Sequence, residues 1–130
     1  MNLLSIDNHS GVPIFRQILD QVRRQVLSGQ LAHGEQLPPV RDLALQLRVN
    51  PMTVSKAYAL LEREKLVERR RGIGLFAARL SPQQRGSDSQ ALLAELLQGP
   101  AASAVQMGIR DEEALETLRR LLREYRSRRV

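Results

Sequence analysis

Residues 37–66, LPPVRDLALQLRVNPMTVSKAYALLEREKL, contain two short apolar repeats with a polar break between them. The first repeat predicts a helix over Val40–Leu47. Pro38 and Pro39 precede it, and prolines suit a helix start because the first-turn N–H groups lack intrahelical partners. Apolar residues at helical spacing would form its buried face, namely Val40, Leu43, Ala44 and Leu47.

The polar break at residues 48–51 predicts the start of a second helix that runs from Pro51 to about Arg63. Asn50 can cap this helix, and Pro51 can occupy its first position. Its buried face would comprise Val54, Ala57 and Leu61, and its outer face would present Thr53, Ser55 and Lys56. Such a pair of helices is typical of helix-turn-helix DNA readers, whose second helix enters the major groove. The alternative is that the polar side chains are ordinary first-turn residues.

Residues 66–78, LVERRRGIGLFAA, predict a β-hairpin whose tip uses the glycine dihedrals of Gly72 and Gly74. Side chains alternate in direction along a strand, so at least one arginine of 69–71 should point outward beside the tip. Arginine is favoured in narrow minor grooves, where the negative potential is enhanced. The alternative for the arginine run is a solvated surface, and for the glycines any tight turn.

Upstream, the segment from Pro13 to Gly29 predicts another helix with Gly29 at its end. Its apolar stripe would comprise Phe15, Ile18, Leu19, Val22 and Val26, with Arg16, Asp20, Arg23 and Arg24 away from it. A loop over residues 30–36 then leads to Leu37. Three helices and a hairpin in roughly 70 residues are enough for one small core. The predicted unit is a winged helix-turn-helix over residues 11–79.

Residues 1–79 resemble the GntR superfamily in three segments that lie in register. These are SIDNHSGVPIFRQILDQVRRQVLSGQLAHGEQLPPVRDLA, VNPMTVSKAYALLEREKLV and RRRGIGLFAA. The wording NPMTVSKAY and the short tail are most similar to the YtrA-type branch. The resemblance implies a bacterial transcription factor that binds a palindromic operator as a homodimer, usually as a repressor.

The resemblance also implies the DNA-binding residues. Arg41 matches the arginine of the LPSxRxLA motif at the start of the first reader helix. The other positions that match family contacts, together with the adjacent Arg70, are Asn50, Thr53, Ser55, Lys56, Arg70, Arg71, Gly72 and Gly74. Pro39 departs from the serine that the family usually has, and Val40 and Leu75 replace residues that are frequently polar. These three departures leave the predicted fold unchanged.

The charge balance agrees with a polyanionic partner. Residues 1–79 carry 12 Lys or Arg against 7 Asp or Glu, whereas residues 80–130 carry 8 against 7. The chain has no cysteine, which excludes disulfides and thiolate metal sites. No apolar run of 18 or more residues and no signal peptide is visible, so we expect a cytoplasmic protein without a membrane span.

Residues 80–130 predict a short helical dimerisation domain that begins near Leu80. Residues 79–89 would be a hinge or the frayed start of a helix, Pro100 should kink or split the helical tail, and Asp111 can cap the last helix. Candidate dimer contacts are Leu92, Leu96, Leu115, Leu118, Leu122 and Tyr125. The terminal arginines either are solvated or add non-specific DNA contacts, namely Arg126, Arg128 and Arg129. The alternative is that the tail packs back on the winged unit.

The expected fold class is therefore mostly α with a small β-hairpin, and the expected function is DNA-binding regulation. An enzyme is disfavoured because His9 and His33 lie in predicted loops, and Glu62 and Glu64 belong to a charged helix face. A winged-helix protein-interaction module without DNA readout is the alternative. RNA is disfavoured by the presence of only two Phe and two Tyr. We expect no cofactor or metal, and nothing identifies a small-molecule effector.

Overall fold

The computed structural model describes residues 4–128, which form six α-helices and one two-stranded sheet. In chain order the elements are α1 (Ile14–Ser28), α2 (Val40–Leu47), α3 (Pro51–Arg63), β1 (Val67–Arg70), β2 (Gly74–Ala77), α4 (Pro82–Leu96), α5 (Gln98–Gln106) and α6 (Asp111–Arg128). The chain divides into two compact units between Asp88 and Ser89. This is the mostly helical architecture with a hairpin that the sequence predicts.

The core of the first unit forms where α3 contacts both α1 and α2. Ile18 and Val22 of α1, Leu43 of α2, and Val54 and Leu61 of α3 are almost wholly withdrawn from solvent. Burying a side chain of this size stabilises the fold by about 1.5–3 kcal/mol. The predicted helix bounds are confirmed in this unit, and their apolar repeats supply its core.

Several details of the predicted faces are wrong. Val40 and Leu47 are only half-buried, because they sit at the two ends of a helix of eight residues. Arg23 was expected to point away from the core but is buried. Its guanidinium lies between α1 and the end of α3, where Nε donates to Glu64 Oε2 at 3.0 Å and Nη1 donates to Asp20 Oδ1 at 3.0 Å. Glu64 is therefore part of an ion pair that joins two helices.

The turn between α2 and α3 is fixed by one residue at each side of the break. Arg48 has φ +57° and ψ 48°, and its N–H bonds the carbonyls of Ala44 and Leu45, which ends α2. Asn50 is extended, and its side chain accepts a hydrogen bond from the Met52 N–H at 2.8 Å. Pro51 takes the first position of α3, as predicted.

β1 and β2 pair antiparallel, with Val67 opposite Ala77 and Arg70 opposite Gly74. A third segment, residues 34–37, lies along the free edge of β2. The Leu37 N–H donates to the Leu75 carbonyl at 2.8 Å, and the Ala77 N–H donates to the Glu35 carbonyl at 2.8 Å. The sequence predicted only a connecting loop here, because four polar and apolar residues without a repeat carry no strand signal.

The beginning of α4 belongs to the first unit. Arg85 Nη1 donates to the carbonyl oxygens of Leu27 at 2.6 Å and Val26 at 3.3 Å, which lie at the C-terminal end of α1. Residues 82–89 are helical, which agrees with the predicted start of a helix and not with the predicted hinge. The predicted domain limits of 11–79 and 80–130 remain a prediction.

The second unit contains the rest of α4 together with α5 and α6. The tail helix is split: α4 ends at Leu96, and Pro100 lies in the first turn of α5, where its missing N–H removes the bond to Leu96. Asp111 was predicted to cap α6, which would place it just before the helix. It is instead the first helical residue of α6. Arg129 lies outside the described residues. Within residues 4–128, no helix combines the length and apolarity needed to traverse a bilayer.

Candidate nucleic-acid interface

The tip of α3 presents a compact set of side chains to solvent. Met52, Ser55 and Lys56 are exposed, and Thr53 is half-buried. Asn50 uses its Oδ1 atom to cap the helix, which leaves its amide nitrogen as the group able to donate to a ligand. The first turn of α3 is therefore ordered by its own cap, and its outer face is exposed and available to a ligand.

Lys56 is held in place by an aromatic ring. Its Nζ lies 3.8 Å from the centre of the Phe15 ring, the distance of a cation–π contact. The sequence placed Phe15 in the core stripe of α1, yet its ring is only half-buried and its face is turned toward this lysine. The start of α1 is thus a part of the candidate interface that periodicity alone missed.

A shallow groove of about 750 Å³ lies between the start of α1 and the outer face of α3. Its floor and walls are formed by Pro13, Ile14, Phe15, Met52, Thr53, Ser55, Lys56 and Ala59. Three of the predicted contact residues therefore line one concave surface.

Arg41 lies in the first turn of α2 and is exposed. The segment that leads into α2 is attached to α3, because the Tyr58 hydroxyl donates a hydrogen bond to the Pro38 carbonyl at 2.8 Å. Burial of this phenol raises the pKa of Tyr58 above its ordinary value of 10.0. The hydroxyl therefore stays protonated and keeps donating at physiological pH, which fixes the segment that carries Arg41 relative to α3.

The hairpin forms the wing, with Arg71, Gly72 and Ile73 exposed at its tip. The three successive arginines have different surroundings. Arg69 Nη2 and Nε donate to Glu62 of α3 at 3.0 Å and 3.1 Å, which ties β1 to α3. The guanidinium carbon of Arg70 lies 4.0 Å from the centre of the Phe76 ring.

Gly72 and Gly74 have φ values of +76° and +147°. A Cβ atom on Gly74 would lie 2.8 Å from the Gln36 amide nitrogen, which itself donates to the Ile73 carbonyl at 3.2 Å. The φ of Gly74 lies in a region that L side chains rarely adopt, so glycine avoids backbone strain where the wing packs against residues 34–37.

His9 and His33 are exposed in loops. Across residues 4–128, no group of three or more His, Cys, Asp and Glu could hold a metal ion. Glu62 has a pKa below its ordinary value because Arg69 donates hydrogen bonds to its carboxylate, which marks it as half of an ion pair.

The predicted dimer contacts divide into two groups. Leu92 is buried, whereas Leu96, Leu115, Leu118, Leu122 and Tyr125 are exposed. Between α5 and α6 lies an apolar groove of about 360 Å³ lined by Leu97, Pro100, Ala101, Ala104, Met107, Ile109, Ala114, Leu115, Thr117, Leu118 and Leu121. The second unit therefore displays apolar side chains both in this groove and on the exposed face of α6.

The chain resembles known regulators over nearly its whole length. The family described as "Bacterial regulatory proteins, gntR family" matches residues 15–76. YhcF of Bacillus subtilis, an HTH-type transcriptional regulator by name, is 36% identical over 85% of this chain and 90% of its own length. The HTH-type transcriptional repressor YtrA of the same organism is 33% identical over 92% of each chain. The crystal structure of a transcriptional antiterminator from Listeria monocytogenes EGD-e has a TM-score of 0.74 and 31% identity, with coverages of 95% of this chain and 90% of that one.

Proposed function

The chain belongs to the GntR family of bacterial regulatory proteins, and on this premise we propose that it is a homodimeric repressor of a palindromic operator. Its likeness to YtrA places it with the YtrA-type regulators. Members of this family regulate transcription by binding DNA and are not enzymes. Our proposal adds four properties to family membership, namely the repressor role, the dimer, the symmetry of the operator and a location in the cytoplasm, where bacterial DNA is found.

The observation that carries DNA readout is the capped tip of α3 with its exposed Ser55 and Lys56. The N-terminal residues of a recognition helix are those that reach base edges in the major groove. Lys56 contributes a charge for phosphate, and Thr53, Ser55 and the Asn50 amide contribute donors for base edges. The exposed wing tip, with Arg71 beside Gly72, would enter the adjacent minor groove.

A dimer would place two copies of α3 on one face of the duplex, about 34 Å or a multiple of it apart. Its support is the exposed apolar row of α6, formed by Leu115, Leu118, Leu122 and Tyr125. A two-fold symmetric pairing of this row would withdraw it from water. The bound operator would then be an inverted repeat.

Selection of bound duplexes from a random pool by the full-length chain tests the proposal. We expect an enriched inverted repeat, and we expect substitution of Asn50 or Thr53 to change the preferred bases. Each good base contact is worth roughly 1–3 kcal/mol, which is large enough to be seen as altered enrichment. Enrichment of no sequence at all would overturn specific readout.

The dimer is tested by the double substitution Leu122→Glu with Tyr125→Glu in the full chain. Both residues lie outside the lining of the groove between α5 and α6, so α6 should keep its local packing. The matched control is Arg120→Glu, which makes the same change of two charge units on the opposite side of α6. We expect monomers by light scattering for the first variant and dimers for the control.

A protein-interaction module without DNA readout is the second candidate, and the exposure of Leu45 and Ile73 favours it. Such a module would enrich no duplex in the selection. Readers of single-stranded RNA use several stacking aromatics, whereas this chain has two Phe and two Tyr, so we propose duplex DNA.

A further inference from the structure

Met52 is the second residue of α3, and its side chain is 74% exposed. Its backbone position is fixed, because its N–H donates to the Asn50 side chain at 2.8 Å. The predicted contact residues around it carry hydroxyl, amide or ammonium groups, whereas a thioether offers only a weak hydrogen-bond acceptor. The polar readout assigned above therefore leaves this side chain without a role.

The geometry of a helix directs the Met52 side chain toward the major groove of a bound duplex. Each Cα–Cβ bond tilts toward the helix N-terminus, so a side chain at the second position extends past the first turn. That end of a recognition helix is the part that contacts base edges. Met52 also lines the groove between α1 and α3 together with Thr53, Ser55 and Lys56.

The chemistry of the major groove offers one matching partner. Base edges there present donors, acceptors and a single apolar group, the C5-methyl of thymine. Methionine is unbranched, flexible and polarisable, so it can follow a methyl group without a fixed geometry. We propose that Met52 determines specificity by contacting the thymine C5-methyl in each half-site, an inference that rests on the proposed function.

The test uses the duplex selected by the full-length chain and replaces its thymines by deoxyuridine, one symmetric pair at a time. Uracil pairs as thymine does and lacks only the methyl group. At one pair we expect Kd to rise about fourfold for each methyl group removed, the factor that corresponds to burying one such group. Removal of the methyl group from both half-sites should raise Kd roughly 15-fold. The other pairs should have smaller effects.

Two variants assign the effect to the side chain. M52Q keeps the length and flexibility of the side chain but is polar, and it should bind thymine and uracil duplexes equally. M52L keeps an apolar side chain of similar volume and should retain the preference for thymine. The matched control is L45Q, because Leu45 of α2 is also 74% exposed, and it should leave the thymine-to-uracil ratio unchanged.

Several outcomes overturn the inference while leaving DNA-binding intact. These are a wild-type protein indifferent to uracil at every position, a preference that survives M52Q, or a ratio lowered equally by L45Q. A wild-type protein that selects no duplex overturns the proposed function itself, and the assignment of Met52 with it.

Discussion

Two residues of the first unit are predicted to have measurable effects. Phe15, at the start of α1, should affect operator affinity, and Arg48, at the end of α2, should affect the free energy of unfolding. Neither is distinctive in the sequence. Phe15 fits an apolar stripe, and Arg48 is one of many arginines. Their roles depend on a ring that approaches an ammonium group and on a backbone in the left-handed region, and both features arise only when the elements meet.

Phe15→Leu should weaken operator binding, because the ring that orders Lys56 is lost while the apolar volume is largely kept. An exposed cation–π contact is worth about 0.5–1 kcal/mol, so we expect Kd to rise roughly two- to fivefold. The measurement is a double-mutant cycle with Lys56→Ala. If Phe15→Leu weakens binding equally in the Lys56→Ala background, the ring does not act through the lysine.

Arg48→Gly should stabilise the first unit by about 0.5–1 kcal/mol. An L-residue in the left-handed region costs roughly 1–2 kcal/mol, and the larger entropy of unfolded glycine offsets part of the gain. Urea unfolding measures the change. Arg48→Ala keeps the strained φ and should leave the free energy of unfolding nearly unchanged, so a gain of equal size in alanine would contradict the explanation.

At the scale of elements, the wing depends on two contacts that lie outside the hairpin itself. One is the packing of Gly74 against Gln36, and the other is the ion pair of Arg69 with Glu62 of α3. Together they fix the hairpin to the segment 34–37 on one side and to α3 on the other.

Gly74→Ala should distort the wing and destabilise the first unit by about 1–2 kcal/mol, because the added Cβ meets Gln36 and the φ of +147° is strained for alanine. Thermal unfolding and operator affinity should both decrease. Gly86→Ala is the control, since a Cβ there meets open space within α4, and it should stabilise the helix. Equal effects at the two sites would contradict this account of the wing.

The Glu62–Arg69 pair should make stability depend on pH in acid. The pKa of Glu62 lies below its ordinary value of 4.5 in the folded chain, so the contribution of the pair is complete above about pH 4.5. It is lost as the pH falls through the lower folded pKa. Wild type should therefore exceed Glu62→Gln in stability near neutrality and converge with it in acid.

The matched control for that comparison is Glu68→Gln, which removes a carboxylate from β1, the strand that carries Arg69, and keeps the contact of Arg69 with Glu62. Its difference from wild type should not converge in the same way. A constant difference between wild type and Glu62→Gln at every pH would show that the carboxylate charge does not stabilise the wing.

The helices and the hairpin were predictable because their signals are local. Apolar spacing, Pro51 after Asn50, and glycines beside an arginine run fix α2, α3 and the wing without reference to distant residues. The segment 34–37, the buried Arg23 and the Lys56–Phe15 contact were not predictable. Each pairs residues from separate elements, and a single sequence does not record which partner a polar or aromatic group finds.

At the scale of the whole molecule, the two compact units differ in the chemistry of their surfaces. The first holds the excess of basic residues and the second an exposed apolar row. Charged readout alone would bind any duplex weakly. Pairing two readers through the apolar row would multiply two modest affinities into one specific affinity, which is why the dimer is central to the proposal.

The most direct measurement is equilibrium binding of the full-length chain to its selected duplex and to a scrambled duplex of the same composition, from 50 to 200 mM salt. We predict a clear preference for the selected duplex. If the dimer makes roughly 6–10 phosphate contacts, affinity should fall by about 10³–10⁵ across that range. Failure to bind any duplex at the lowest salt would contradict the account.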